Sequence, residues 1–367
     1  MKCTIIAAAA SLVMLALAMP YSEEDTSLDS LPPDIAQAVQ KMLDRIKMDS
    51  DHHKLQARGA PDGAYAVFDA DNTIWRYDIT EASIPYLENK GVITRDKLDP
   101  ALKLIEFKDT ADYTETFYSY YRRLCAIDAM ICYPWAAQIF SGLTLRDLKV
   151  HVDNIFALTE PIPTTYWDGD VVVPTKINTP QVFGGLLGLA KSLRANGVEI
   201  YIVSASNEEL VRMVVSDPKY GYHIKPQNVI GVSTLLKNVE TGELTTSRKQ
   251  IAAGHYDMNA NLDLQFGSYL WTPATWYAGK WAAIQTYISP WKKPMIAAGD
   301  TPGSDTYMLF NVDVERGGMR LWINKTQSEL NQLKTLIAEG VRYQEKWGEY
   351  VTASEGWYYI GPEEWLE

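Results

Sequence analysis

The chain has 367 residues, of which 47% are hydrophobic, and its formal net charge is -12. This length allows one large domain with insertions, or two domains. The negative charge argues against nucleic acid or an anionic membrane surface as a partner. It also does not help an anion to approach. Any phosphate site on this chain must therefore be made locally positive by a metal ion, a lysine or backbone N–H groups.

Residues 1–18 are typical of a secretory signal peptide. Lys2 gives a positive start, residues 4–17 form an apolar run, and Ala16-Leu17-Ala18 matches an A-x-A cleavage site. The run is short for a membrane span, although an uncleaved anchor is the alternative. We therefore expect a secreted or periplasmic protein that begins near Met19 and has no stable membrane anchor.

Removal of the signal peptide would leave two cysteines, Cys125 and Cys132. On a straight helix this offset separates them by roughly 10 Å, whereas a disulfide needs Cα atoms within about 7 Å. They can pair only if the helix breaks between them, and the Tyr133-Pro134 step indicates a break nearby. The sequence leaves the pairing open.

The predicted elements alternate between strands and helices. In chain order they are a leader and helix in residues 19–60, a strand over 64–68 before Asp69, a helix over 181–194, a strand over 198–203 before Ser204, a helix over 207–215, a helix over 280–287 that begins at Lys280, a strand over 294–298 before Gly299-Asp300, and a strand over 319–323.

This alternation favours an α/β fold with a doubly wound parallel sheet. In such sheets the site lies at the carboxyl ends of the strands, so we expect the strand-end motifs to converge. The predicted division of the chain is a core of residues 61–80 and 179–350 with a small insertion at 217–278, a mainly helical, aromatic-rich cap subdomain at 81–178, and a C-terminal tail at 351–367.

Four segments along this core carry reactive side chains. They are Asp69-Ala-Asp71-Asn-Thr73, Ser204, Lys280 and Gly299-Asp300-Thr-Pro-Gly-Ser304-Asp305. Each one alone is common in proteins, as a turn, a helix cap or a solvated helix residue. Together they supply a nucleophilic carboxylate, an acid/base carboxylate, a hydroxyl, an ammonium and a third carboxylate for a metal, a set that fits phosphoryl transfer through an aspartyl phosphate.

These motifs resemble the four motifs of the haloacid dehalogenase superfamily of phosphatases. The longer runs Asp69-Ala-Asp-Asn-Thr-Ile-Trp75, Ile202-Val-Ser-Ala-Ser206 and Ala278-Gly-Lys-Trp resemble those of the secreted phosphorylcholine phosphatases within it. The resemblance implies a Rossmann-like core, Mg²⁺ as cofactor and a small phosphomonoester as substrate.

The resemblance also implies a role for each residue. Asp69 would be the nucleophile, and Asp71 would be the general acid and then the general base. Ser204 and Lys280 would bind the phosphoryl oxygens. The listed groups for Mg²⁺ would be Asp69, the backbone carbonyl of Asp71, and Asp300, with Asp305 positioning Lys280 or a metal-bound water. The chain must turn directly after Asp69, and Asn72-Thr73 suits that turn.

The aromatic cap suggests a pocket for a cationic head group. Two or three of its aromatic side chains would enclose a quaternary ammonium, and Glu81 or Glu115 would add a negative charge. The alternative is that these aromatic residues pack a core. We therefore expect a Mg²⁺-dependent phosphomonoesterase for phosphocholine or a similar amino-alcohol phosphate. The alternatives are a broader acid or phosphoserine-type phosphatase of the same superfamily, or a non-catalytic choline-binding protein.

Overall fold

The computed structural model describes residues 28–56 and 63–366, so the predicted signal peptide lies outside the described residues. The strands are, in chain order, β1 (Tyr65–Phe68), β2 (Trp75–Arg76), β3 (Ile162–Asp168), β4 (Val171–Ile177), β5 (Gln181–Val182), β6 (Glu199–Asn207), β7 (Val229–Val232), β8 (Thr234–Lys237), β9 (Leu244–Thr245), β10 (Gln265–Leu270), β11 (Ile296–Gly299), β12 (Met319–Ile323) and β13 (Trp357–Ile360).

The α-helices of the described residues alternate with these strands in the core and dominate the cap. They are α1 (Pro33–Gln56), α2 (Ile79–Asn89), α3 (Phe117–Ile127), α4 (Ala129–Gln138), α5 (Leu145–Ala157), α6 (Gly184–Ala195), α7 (Glu208–Val215), α8 (Ser247–Ala252), α9 (Ala278–Tyr287), α10 (Pro302–Phe310), α11 (Gln327–Trp347) and α12 (Pro362–Leu366).

The central sheet has six parallel strands in the order β13-β12-β11-β1-β6-β7. Both of its faces are buried, because successive residues of β1 enter different cores: Ala66 and Phe68 join one hydrophobic cluster, while Tyr65 and Val67 join the other. This explains why the strands read as continuous apolar runs. The predicted α/β fold with a doubly wound parallel sheet is confirmed.

Two boundaries of the predicted division need correction. β13 was assigned to the C-terminal tail, but it pairs in parallel with β12 and forms one edge of the central sheet. β7 was assigned to the 217–278 insertion, but it pairs with β6 and forms the other edge. Both strands are short, and the pairing that makes them part of the sheet joins residues far apart in sequence, so local pattern did not show it.

The segment between β1 and β6 contains α2 to α5 and the antiparallel hairpin β3–β4. At its base, β2 pairs with β5, so the chain leaves and re-enters the core at one place. This pairing also explains why α6 begins at Gly184 rather than at the predicted Gln181. Within the described residues, no helix is both long and apolar enough to cross a membrane.

Cys125 and Cys132 form a disulfide, with their Cα atoms 4.9 Å apart. The helix breaks between them as pairing requires, but the break lies at Asp128 and not at the Tyr133-Pro134 step. Asp128 is extended and caps α4, because its side chain accepts a hydrogen bond from the N–H of Met130 at 2.7 Å. Pro134 lies inside α4.

Candidate active site

A cavity of about 280 Å³ lies where the carboxyl ends of the central strands face helices α3 and α4 of the cap. Most of its wall is polar, and it contains residues from every strand-end motif except Lys280, which lies beneath Asp69. The lining residues are Asp69, Asp71, Asn72, Asp78, Thr80, Glu81, Tyr121, Tyr133, Ala136, Ala137, Ser204, Ala205, Ser206, Asp300, Thr301, Ser304, Lys325 and Glu329.

Asp69 directly follows β1, and its N–H donates a hydrogen bond to the carbonyl of Ala298 on the neighbouring strand at 3.0 Å. The chain then turns sharply, since the N–H of Ile74 donates to the carbonyl of Ala70 at 2.8 Å. Asn72 adopts a left-handed conformation with φ of +57°, which asparagine tolerates better than most residues. This turn lets both Asp69 and Asp71 line the same cavity.

Asp71 is buried and accepts three hydrogen bonds. Oδ1 accepts from the indole N–H of Trp75 at 2.9 Å and from the N–H of Ile79 at 2.8 Å, while Oδ2 accepts from the Ser206 hydroxyl at 2.5 Å. Burial, followed by the nearby Asp78, raises the pKa of Asp71 to about 7 although these bonds oppose the shift. A carboxyl group with this pKa is suited to both giving and taking a proton near neutral pH.

Lys280 is fully buried between two carboxylates. Its Nζ lies 2.6 Å from Oδ1 of Asp69 and 2.6 Å from Oδ1 of Asp305. Burial lowers the pKa of Lys280, but Asp305 and Asp69 outweigh that effect, so the pKa is raised and the ammonium stays charged. Burial raises the pKa of Asp69, and Lys280 opposes this shift.

Asp305 is committed to this framework. Its Oδ2 accepts hydrogen bonds from the N–H groups of Asp300 and Thr301, both at 2.9 Å. A Cβ on Gly299 would lie 2.6 Å from the Cβ of Asp305, so only glycine permits this approach. The prediction left Asp305 either on Lys280 or on a metal-bound water, and in the structure it contacts Lys280.

Asp69, Asp300 and Asp305 each offer an oxygen within 4.8 Å of the others. Because both oxygens of Asp305 already accept hydrogen bonds, Asp69 and Asp300 are the carboxylates suited to a cation here. Such a set of hard oxygen donors fits Mg²⁺. The hydroxyl of Ser304 is buried at the same cavity without a hydrogen-bond partner among the described residues, which also fits a site built for further oxygen groups.

Ser204 lies near the end of β6 and lines the cavity with 1% of its surface exposed. Its Oγ accepts a hydrogen bond from the N–H of Ser206 at 3.1 Å, which leaves its own proton available to a ligand. Glu81 also lines the cavity. Burial raises the pKa of Glu81, while Arg122 and then Lys325 oppose the shift.

Glu115 does not line the cavity, and its assignment to a head-group site is corrected. Its carboxylate is buried within the cap, where it accepts hydrogen bonds from Arg123 at 2.6 Å, from the N–H of Lys108 at 2.6 Å and from the Ser119 hydroxyl at 2.8 Å. With its oxygens engaged in this way, Glu115 links segments of the cap.

Sequence reasoning missed several residues of the cavity. Lys325 follows β12, and its Nζ lies 2.5 Å from Oδ2 of Asp300; no motif marks it. Ser206 and Trp75 stood in the runs that carried the family resemblance, yet their role as partners of Asp71 depended on three-dimensional contacts. Of the many aromatic residues in the cap, only Tyr121 and Tyr133 line the described cavity.

Comparisons with known proteins identify the family. No protein-family model matches the chain. The chain is 57% identical over 302 residues to the phosphorylcholine phosphatase of Pseudomonas aeruginosa, which covers 82% of this chain and 86% of that protein.

Two solved structures show related folds. A functionally unknown protein from Anaerococcus prevotii has a TM-score of 0.53 at 18% identity, over 84% of this chain and 91% of that chain, a likeness of fold alone. A haloacid dehalogenase family hydrolase from Salmonella enterica is more distant, with a TM-score of 0.38 at 12% identity over 72% of this chain and 64% of that chain. On the strength of the 57% identity across most of both sequences, the chain belongs to the phosphorylcholine phosphatase family of the haloacid dehalogenase superfamily, and it is a phosphomonoester hydrolase.

Proposed function

We propose that this enzyme is Mg²⁺-dependent and hydrolyses phosphocholine, or a similar small amino-alcohol phosphate, through an aspartyl phosphate on Asp69. The observation that carries the proposal is a single cavity that joins two parts. One part is a buried Asp69–Lys280 pair beside Asp71, and the other is an acidic wall with two tyrosines from the cap. The relative from Pseudomonas aeruginosa, whose name states that it acts on phosphorylcholine, supports the same substrate.

In the first step a carboxylate oxygen of Asp69 attacks phosphorus, and the bond from phosphorus to the leaving oxygen breaks. Asp71 gives its proton to that leaving alkoxide, and its pKa of about 7 makes the protonated form abundant near neutral pH. In the second step water attacks phosphorus and gives a proton to Asp71. The bond between phosphorus and Asp69 then breaks, which restores the carboxylate and releases phosphate.

Other residues hold the phosphoryl group. Lys280 keeps its charge because of its two carboxylate partners, and Ser204 has a hydroxyl proton to donate. Both would stabilise phosphoryl oxygens as charge develops. Asp69, the backbone carbonyl of Asp71, and Asp300 would hold Mg²⁺. When bound, this ion supplies positive charge to the phosphoryl oxygens.

The head group would lie against the cap wall. A trimethylammonium group cannot donate hydrogen bonds, so it depends on aromatic faces and carboxylates. Tyr121 and Tyr133 supply rings, and Glu81 supplies a carboxylate in the same cavity. Each desolvated cation–π contact contributes about 2 kcal/mol, or about thirtyfold in affinity. Among the described lining residues no arginine is present to pair with the carboxylate of a phosphoserine.

A substrate panel with Mg²⁺ tests the proposal: phosphocholine, phosphoethanolamine, phosphoserine and p-nitrophenyl phosphate. We expect phosphocholine to have the highest kcat/KM and free choline to inhibit competitively. Glu81→Gln should raise KM for phosphocholine by about tenfold and leave KM for p-nitrophenyl phosphate, which has no cation, unchanged. Glu106→Gln is the matched control, because Glu106 is exposed in the cap and does not line the cavity.

The alternative is a broader acid or phosphoserine-type phosphatase of the same superfamily. It would be favoured if choline does not compete and if Glu81→Gln affects the two substrates equally. No release of phosphate from any ester would instead favour a choline-binding protein without activity.

We also propose that the protein is exported, as its N-terminal residues predict. The disulfide between Cys125 and Cys132 supports this location, because such bonds persist in oxidising compartments. Fractionation of producing cells, together with the N-terminal sequence of the mature protein, would test it. A cytoplasmic protein that retains Met1 would contradict the proposal.

A further inference from the structure

The charges around the cavity are unequal in number. Six acidic side chains line the described cavity, and among its lining residues Lys325 is the one cation. They are Asp69, Asp71, Asp78, Glu81, Asp300 and Glu329. Lys325 therefore has a large share in deciding which of these carboxylates remain available to a second cation, whether a metal or a substrate ammonium.

Lys325 uses its ammonium on three oxygens. Nζ lies 2.5 Å from Oδ2 of Asp300, 3.1 Å from Oε1 of Glu329 and 3.1 Å from the hydroxyl of Thr301. An ammonium has three N–H donors, so these contacts account for all of them. The side chain is 25% exposed, which means that it forms part of the cavity wall and is not a component of the packed core.

These contacts divide the two oxygens of Asp300. Oδ2 accepts from Lys325 and from the hydroxyl of Thr301 at 3.0 Å, whereas Oδ1 accepts only a longer bond from the hydroxyl of Thr73 at 3.1 Å. A metal held by Asp300 would therefore meet Oδ1, because a strongly bound cation already occupies Oδ2. The same ammonium also holds Glu329.

We propose that Lys325 is a positioning residue that restricts Asp300 to one metal-facing oxygen and keeps Glu329 from joining the metal. This inference rests on the proposed metal-dependent function. Mg²⁺ has six coordination positions and works in phosphoryl transfer by keeping some of them for water and substrate oxygens. Each further carboxylate oxygen that binds the ion removes one of those positions. Lys325 thus keeps the metal weaker but open to substrate.

The test compares Lys325→Met, Lys325→Arg and the control Lys334→Met, which removes an exposed lysine from the same helix, α11. Mg²⁺ affinity is measured by calorimetry on the substrate-free enzyme. We expect Lys325→Met to bind Mg²⁺ about fivefold more tightly or better, because a neighbouring positive charge is gone. Its kcat/KM for p-nitrophenyl phosphate should fall by about tenfold or more, and added Mg²⁺ should not restore it.

Lys325→Arg should stay close to wild type in both measurements, and Lys334→Met should change neither. In the double variant Lys325→Met/Glu329→Gln, Mg²⁺ affinity should return toward the wild-type value, since the recruited carboxylate is removed. Thermal unfolding checks that each variant folds. If Lys325→Met does not fold, Lys325→Gln is held to the same expectations.

Unchanged or weaker Mg²⁺ binding by the folded Lys325→Met variant would overturn the inference, as would tighter binding with full activity. Failure of the underlying function looks different. In that case the wild-type enzyme itself would bind no Mg²⁺, or would hydrolyse none of the esters.

Discussion

Replacement of Asp71 by asparagine should separate the chemical role of this residue from its structural role. The local structure accepts the change. The asparagine carbonyl can keep the two donors that now contact Oδ1, which are Trp75 and the N–H of Ile79. The new amide N–H₂ would face the Ser206 hydroxyl, which now donates to Oδ2 and can accept instead. The variant should therefore fold with nearly wild-type stability.

What Asp71→Asn loses is the proton that Asp71 holds through its pKa of about 7. General acid catalysis contributes about 10²–10⁴-fold in rate, or about 3–5 kcal/mol. We expect that loss in full for phosphocholine, whose alkoxide needs a proton to leave. For p-nitrophenyl phosphate the first step should lose less than about tenfold, because p-nitrophenolate leaves unprotonated.

Rapid-mixing kinetics distinguishes the two steps. With p-nitrophenyl phosphate, Asp71→Asn should show a burst of p-nitrophenolate followed by slow turnover, because hydrolysis of the aspartyl phosphate still needs a base. Single-turnover measurements with phosphocholine should show no such burst. Equal losses in the first step for both esters would refute the assignment of Asp71 as the acid.

The remaining predictions concern the nucleophile and the stability of the cap. Asp69→Asn should abolish turnover by about 10³-fold or more at any Mg²⁺ concentration, whereas Asp300→Ala should regain part of its activity in Mg²⁺ titrations; equal rescue would contradict both roles. Burial raises the pKa of Glu88 from 4.5 to about 7, so its contribution to stability is present below about pH 4.5 and is lost as the pH rises to about 7. Glu88→Gln should therefore exceed wild type in urea unfolding near pH 8, by at most roughly 3 kcal/mol, and match it near pH 4.5; an advantage independent of pH would exclude the mechanism.

The strands next to the site could be predicted because their evidence is local. A buried run followed by a polar strand-end residue marks β1, β11 and β12, and the structure has β12 at the predicted Met319–Ile323. The edge strands β7 and β13 were assigned to other parts of the chain, because membership of a sheet is a property of pairing between distant residues.

Single polar residues of the site were harder to predict for the same reason. Glu115 is next to several tyrosines in sequence, yet it precedes the N-cap Thr116 of α3 and turns toward Arg123 and Ser119 inside the cap. Lys325 stands in an unremarkable run, Ile323-Asn-Lys325-Thr, and reaches Asp300 only because β11 and β12 are neighbours in the sheet. Sequence distance carries no information on either contact.

The aromatic cap combines the two interpretations that its sequence left open. Most of its rings pack together, as Tyr120 does with Trp135 at a centroid distance of 5.4 Å. Tyr121 also stacks on Trp135, at 6.2 Å, but it lines the cavity as well. Tyr133, the other lining ring, belongs to α4, which the Cys125–Cys132 disulfide joins to α3. The packed aromatic core and the disulfide thus hold the two tyrosines on a fixed support, and a fixed ring loses little entropy on binding a cation. A pocket built in this way would favour a rigid, compact ammonium head group over a flexible one.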